Sequence, residues 1–399
     1  MIKPEIKYDL QIKFGSEYGA DEERAVIDVL RQGAPTSGVQ CQEFEREFAA
    51  YCGTRYARVA TNGTAAIFLS LLAAGVGKEG KVLTTPLTWI ATAAAAETLG
   101  ARIDFVDIDP DTYNIDAVKV KAKITADTKA IIPVHLFGQC CDMDPILDLS
   151  RQYGLHVIED ACHAIGAEYH GRKAGSMGLA GCFSFHEQKN MSTLGEGGMV
   201  VTNDPNIYER FSLYRSHCAR VYGESTKYCR IDESRYPMGK RFWYQEFDDV
   251  GYNFRMTDIQ AAVGRVQLRK LDVFNGNRIK NAAYLSAGLK DIPGLTLPKV
   301  LPGNTHVFHL FPVLVDEKKF GMGKDDFIYA MLYERGIKVG THYIPLHYSK
   351  AFELRGFKKG QFPITETIAE KLVTLPINPR QTQESLDYLI GSIRVLSKR

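Results

Sequence analysis

Over its first two thirds the chain alternates short β-branched runs with segments of helical period. Strands are expected at 81–84, 103–108, 130–134, 156–159, 182–185 and 199–202. Helices are expected at 65–74 after TNGT, at 90–99, at 143–153 behind Asp142, and earlier at 21–31 and 42–51. Strands separated by helices must be joined by crossovers rather than hairpins, which implies a mostly parallel sheet with both faces covered. In such α/β sheets ligands sit at the carboxyl ends of the strands. From Met256 a long helical pattern places Ile259, Val263, Val266, Leu268 and Leu271 largely on one side and is expected to link two domains. Beyond it, VFHLFPVLV, a helix at 325–334, GIKVGTHYIPLH and a last helix from Gln383 form a smaller α+β unit. The expected division is a large domain over 1–270, with an N-terminal arm, and a small one over 271–399. The polar, aromatic-rich stretch 221–249 has weak periodicity and is expected to be a loop excursion.

Composition narrows the partners. The 399 residues carry 49 basic and 47 acidic side chains, a net charge of +2, so no basic field awaits a nucleic acid. The N-terminus lacks the apolar core of a signal peptide, and no run is long enough to span a bilayer, so neither nucleic acid nor membrane is an expected partner. The 8 cysteines include adjacent Cys140 and Cys141 but no CxxC pair, which argues against a zinc site and a disulfide framework. A reducing, cytoplasmic location is the expectation.

One lysine stands out. Lys189, in FSFHEQKNMSTLGEGGMVVTND, follows a strand and precedes a glycine cluster that permits close backbone approach to a bulky ligand. A lysine there is either a solvated surface residue or the amine that forms a Schiff base with a carbonyl compound, above all pyridoxal 5′-phosphate (PLP). PLP needs N–H groups at a helix start for its phosphate, a carboxylate for its pyridine nitrogen and something flat against its ring. ATNGTAAIFLSLLAAG places Gly63 and Thr64 at the start of an apolar helix, and the Ser184 hydroxyl lies in the strand before Lys189. LHVIEDACHAIG delivers Glu159 and Asp160 to a strand end, where adjacent residues point oppositely and Asp160 is preferred. TTPLTWIATAAAA puts Trp89, one of 2 tryptophans, between a strand and a helix, where core packing is the rival account.

The order of TNGTAAI, TPLTWIAT, VHLFGQCCDMDPI, VIEDACHAIGA, FSFHEQKN with GEGGMVVTND, and GYNFRMTDIQAA resembles the DegT-like sugar aminotransferase family of fold-type I PLP enzymes. The likeness runs from Ser37 to Pro379. It implies an α/β fold with a mostly parallel mixed sheet between helices and a smaller C-terminal α+β domain. It implies Lys189 as the Schiff-base residue, Asp160 at the pyridine nitrogen and His163 beside the ring and its 3-hydroxyl. Gly63, Thr64 and Ser184 would hold the phosphate, and Trp89 would stack on the ring. Asn253 would reach the phosphate of a neighbouring subunit, which implies a homodimer with shared sites. The lysine favours transamination over the sugar dehydration of relatives that carry histidine there. A glutamate or glutamine donor and a keto-sugar acceptor are implied. Nucleotide-linked keto-deoxysugars come first among acceptors; a cyclitol ketone, a dehydratase reaction and a catalytically silent relative are the alternatives. His342, Tyr343 and His347 lie on a loop expected near the substrate, where a metal pair is the rival account for the histidines and no metal is expected. Arg215 and His217 are candidates for the acceptor pocket.

Overall fold

A computed structural model describes residues 17–33, 35–221 and 231–398. The main sheet has seven strands: β1 Tyr56–Ala60, β2 Lys81–Thr84, β3 Arg102–Phe105, β4 Thr128–Ile131, β5 His156–Asp160, β6 Ala180–Ser184 and β7 Gly198–Thr202. Their spatial order is β1-β7-β6-β5-β4-β2-β3. β3, β2, β4, β5 and β6 pair in parallel, and only β7 runs against its neighbours. The architecture is the α/β one expected, with a mostly parallel sheet between helix layers. Alternation along the strands feeds two cores. Leu83, Val157, Phe183 and Met199 pack into one, with Phe44 and Phe48 of the helix Val39–Cys52. Val82, Ile158, Cys182 and Val200 pack into the other, with the helices Gly63–Ala73 and Ala91–Thr98. This is the two-sided burial that makes parallel strands uniformly apolar.

Three differences from the expected elements have local causes. β1 carries Arg58 in mid-strand, which breaks its apolar run, yet that guanidinium is held by Glu45 at 2.7 Å. β4 stops at Ile131 because Pro133 has no N–H to extend the ladder, leaving a lone bridge from Val134 to Asp160. In the excursion, part of which lies outside the described residues, Ala219–Val221 and Gln245–Phe247 form a short antiparallel ladder.

The long helix Asp258–Leu289 begins with a capping box between Thr257 and Gln260 and runs unbroken past position 270. Its C-terminal half, through Ala282, Leu285 and Leu289, joins a separate core under the strands Leu295–Thr296, Phe311–Val315 and Leu372–Leu375. A further cluster of Leu87, Val134 and Phe137 with Leu310, Leu314 and Leu372 welds this second sheet to the first. Asp107 strengthens the joint by accepting from Ile364 N, Thr365 N and the Thr365 hydroxyl.

Glu159 is fully buried and accepts from Gly175 N, Met177 N, Gly178 N and His135 Nε2. The His135 ring is oriented for this because its Nδ1 accepts from Cys141 N. Glu159 therefore ties the loop before β6 to the strand beside it. Glu159→Gln puts an amide N–H where donors converge, and a loss of about 3–5 kcal/mol in urea unfolding is expected. A loss below about 1 kcal/mol would show that the carboxylate is not what holds the loop.

Candidate functional site

A cavity of about 340 Å³ opens at the carboxyl ends of β2, β5 and β6 and is capped by the second sheet's loop at His342 and Tyr343. Gly63, Thr64, Trp89, Asp160, His163, Ser184, Lys189, His342 and Tyr343 all line it. Asn253 and His347 do not.

Each wall follows from its local sequence. β1 ends at Ala60, and Asn62 caps the next helix by accepting from Ala65 N at 2.9 Å. The N–H groups of Gly63 and Thr64 then lie in the first turn, where no carbonyl of their own helix can reach them. Gly63 has to be glycine because a Cβ would stand 2.8 Å from Ser184 Cβ and 2.9 Å from Cys162 Sγ. Gly198 is held likewise, its Cβ position being 2.3 Å from the Asn62 carbonyl oxygen. The helix start, β6 and β7 are thus packed backbone to backbone, which leaves the Ser184 hydroxyl beside the helix start.

Trp89 precedes the helix Ala91–Thr98 and is 61% exposed, so its indole is not core packing. It faces Tyr343 at 6.0 Å between ring centroids. Asp160 shares the face of Ile158, toward the helices Gly63–Ala73 and Ala91–Thr98, while Glu159 shares that of Val157. The strand's alternation therefore selects Asp160 for the cavity. Its Oδ1 accepts from Cys162 N at 3.2 Å and its Oδ2 from the Thr92 hydroxyl at 2.7 Å.

Lys189 sits on the turn after β6, its N–H bonded to the His186 carbonyl at 2.8 Å. Burial pushes its ammonium below the ordinary value, against the pull of Cys162, Asp160 and Glu196. His163 meets the Tyr343 hydroxyl at 3.1 Å through Nε2, lies 4.4 Å from the His309 ring, and leaves a buried Nδ1 without a partner. Burial, with Lys189 and His342 nearby, holds its pKa well below that of a free imidazole. His342 contacts the Thr374 hydroxyl at 2.6 Å, and burial with Lys189 lowers it to about 4.

Several expected residues lie elsewhere. His347 is 1% exposed, its Nε2 meets Glu366 at 3.1 Å, and it does not line the cavity that His342 and Tyr343 reach. Arg215 also lies away from the cavity: its Nη1 donates to the Val59 carbonyl at 2.9 Å and pairs with Glu45 at 3.5 Å, beneath β1. His217 lines a different cavity with Ser216, Phe247 and Arg255. Asn253 is exposed, bridged to Ser216, and stands apart from its own chain's cavity. Among the described residues no three His, Cys, Asp or Glu side chains gather as a metal site, and no helix is long and apolar enough to cross a membrane. Thr88 and Thr92 escaped the reading of the sequence. Only Thr92 lies on the helix Ala91–Thr98; Thr88 is on the bend before it, and no local pattern in TPLTWIAT points the two hydroxyls at each other.

These groups fit PLP. The helix start, too tight at Gly63 for any side chain, suits a phosphate. The amine, the carboxylate, the accessible indole and the orphaned His163 Nδ1 all border the same space.

The chain was compared with known proteins. The model of the DegT/DnrJ/EryC1/StrS aminotransferase family matches residues 16–394. The spore coat polysaccharide biosynthesis protein SpsC of Bacillus subtilis is 38% identical over 384 residues, 95% of each chain. The crystal structure of S. venezuelae DesV superimposes with a TM-score of 0.86 at 34% identity over 100% of both chains. The PLP form of Spr1654 from Streptococcus pneumoniae, a putative sugar aminotransferase by its description, does so with a TM-score of 0.85 at 25% identity, covering 96% of this chain and 97% of that one. With nearly its whole length matched, the chain belongs to the DegT/DnrJ/EryC1/StrS aminotransferase family of PLP-dependent sugar aminotransferases.

Proposed function

We propose that this enzyme moves an amino group from glutamate or glutamine to a nucleotide-linked keto-deoxysugar, in the cytoplasm, for amino-sugar biosynthesis. The observation that carries the reading is the placing of the Lys189 amine, the Asp160 carboxylate and the Gly63 helix start around one cavity. A cyclitol ketone is the second choice of acceptor. A dehydratase is disfavoured by the lysine at position 189, and a silent binding protein by the intact set of groups.

PLP, when bound, supplies the carbonyl that takes the amino group and the ring that draws electrons from the reacting carbon. Gly63 N–H, Thr64 and Ser184 would hold its phosphate, and Trp89 would lie against its ring. The Asp160 carboxylate would pair with the pyridine nitrogen and favour a proton there. His163, held to the Tyr343 hydroxyl, would lie beside the ring and its 3-hydroxyl. Lys189 Nζ, its charged form disfavoured by burial, takes a proton from the substrate carbon and returns it. Trp89 and Tyr343 flank the mouth of the cavity and exclude water from that transfer.

We also infer a homodimer with shared sites. Lys189 is the only lysine or arginine among the described lining residues, so the carboxylates of a donor and the phosphates of a nucleotide need cations from beyond this chain's own wall. Phe242, Trp243, Phe247 and Val250, near Asn253 in sequence, are 79%, 52%, 56% and 84% exposed, a surface suited to cover by a second copy.

Lys189→Ala should bind PLP without the visible absorbance of a lysine-linked cofactor and lose at least about 1000-fold in turnover. Full turnover in that variant would contradict the central assignment. Asn253→Ala should weaken PLP retention about tenfold by equilibrium dialysis although Asn253 is outside its own cavity. Unchanged retention, or a PLP-loaded monomer by light scattering, would remove the shared site. The buried imidazoles give a pH signature. His342 is lowered to about 4, His306 to about 3, and His163 and His309 are well below 6.5. Each binds its proton more readily when unfolded, so stability is full above pH 6.5 and falls as the pH drops through the window down to about 4 for His342 and about 3 for His306. The urea midpoint at pH 5 should lie below that at pH 7.5; equal midpoints would show that these rings are not held neutral.

A further inference from the structure

The Asp160 carboxylate is not held by backbone alone. Thr92 is 1% exposed and Thr88 2%, and their hydroxyls are 3.0 Å apart. Thr92 Oγ1 donates its only proton to Asp160 Oδ2 at 2.7 Å, so in the Thr88–Thr92 contact it must accept, and Thr88 must donate. The direction of the chain is therefore set: Thr88 to Thr92 to Asp160. Thr92 is the second residue of the helix Ala91–Thr98, with no preceding helical turn to bond to, and its hydroxyl is turned onto the carboxylate. The same stretch carries Trp89, whose carbonyl accepts from Thr92 N at 3.2 Å, so one piece of backbone places both the indole and the donor to Asp160.

We propose that Thr92, supported by Thr88, is a positioning residue that locks the rotamer of Asp160, so that the carboxylate faces the pyridine nitrogen of PLP. The proposal rests on the PLP reading above. A directed pair of hydroxyls buried this deeply polarises and strengthens the bond that ends on the carboxylate, and so fixes the carboxylate's orientation. Cys162, Cys182, Lys189 and Tyr343 are the other titratable groups that feel the Asp160 charge. None of these four is Thr92's equivalent: Cys162 reaches Oδ1 through its backbone N–H, and the Thr92 hydroxyl is what reaches Oδ2.

The test uses full-length Thr92→Val, Thr92→Ser and Thr88→Val loaded with PLP, with two readouts: the dissociation constant for PLP by equilibrium dialysis and the pH midpoint of the visible absorbance. Val keeps the volume and loses the hydroxyl; Ser keeps the hydroxyl and loses a methyl. Thr92→Val should weaken PLP binding about tenfold and displace the midpoint by about half a pH unit, as expected for a bond to a charged group. Thr92→Ser should stay within about twofold of wild type, and Thr88→Val should move both readouts in the same direction by less. A Thr92→Val protein with wild-type affinity and midpoint overturns the proposal, as does a Ser variant more impaired than Val, which would mark the methyl as the working part. If Thr92→Val does not fold, Thr88→Val decides: an unchanged midpoint there overturns the directed chain. Wild-type protein that takes up no PLP would instead overturn the cofactor reading and the proposal with it.

Discussion

The strand His156–Asp160 ends in two carboxylates that the β pleat sends to opposite faces of the sheet, and the site takes its form from that division. Glu159 is consumed by three backbone N–H groups and His135, which fixes the loop leading to the next strand. That next strand carries Ser184 and then Lys189. Asp160, turned the other way, meets the helix starts at Gly63 and Ala91. A shift of one residue in register would bury the carboxylate meant for the cavity and expose the one that holds the loop.

Close packing around this strand explains the glycines. No side chain fits at Gly63 against Ser184 and Cys162, or at Gly198 against the Asn62 carbonyl. With the backbones that near, the free N–H groups of the helix start, the Ser184 hydroxyl and the Lys189 turn border one small volume. The second sheet completes it from above. Its apolar joint at Leu310, Leu314 and Leu372 carries the loop that brings Tyr343 to His163 and His342 to the cavity wall. The electrostatic outcome is a site in which burial lowers the proton affinity of His163, His342 and Lys189.

The alternation of strands and helices, the lysine before a glycine cluster and the ED pair at a strand end could all be read from the chain, because each depends on near neighbours in sequence. β1 was hidden because Arg58 sits inside it, and the ion pair with Glu45 that excuses a charge there joins elements separated in sequence. Thr88 and Thr92 lie within one short motif, but nothing local says that Thr88 feeds Thr92 or that the Thr92 hydroxyl ends on Asp160, 68 positions away. Trp89 was ambiguous between core and cavity until its 61% exposure decided it. His342 and His347, five residues apart on one loop, could not be told apart by composition. One reaches the cavity and the other is locked to Glu366.

The sequence by itself determined the sheet type, the helix caps and the residue types able to do amino-transfer chemistry, since period, caps and turn glycines act over a few residues. Tertiary structure alone decided which polar side chains share the cavity, which are used up as internal ties, and how Asp160 is held. Those outcomes depend on contacts between segments far apart in the chain, where packing and burial, rather than local pattern, choose a side chain's partner.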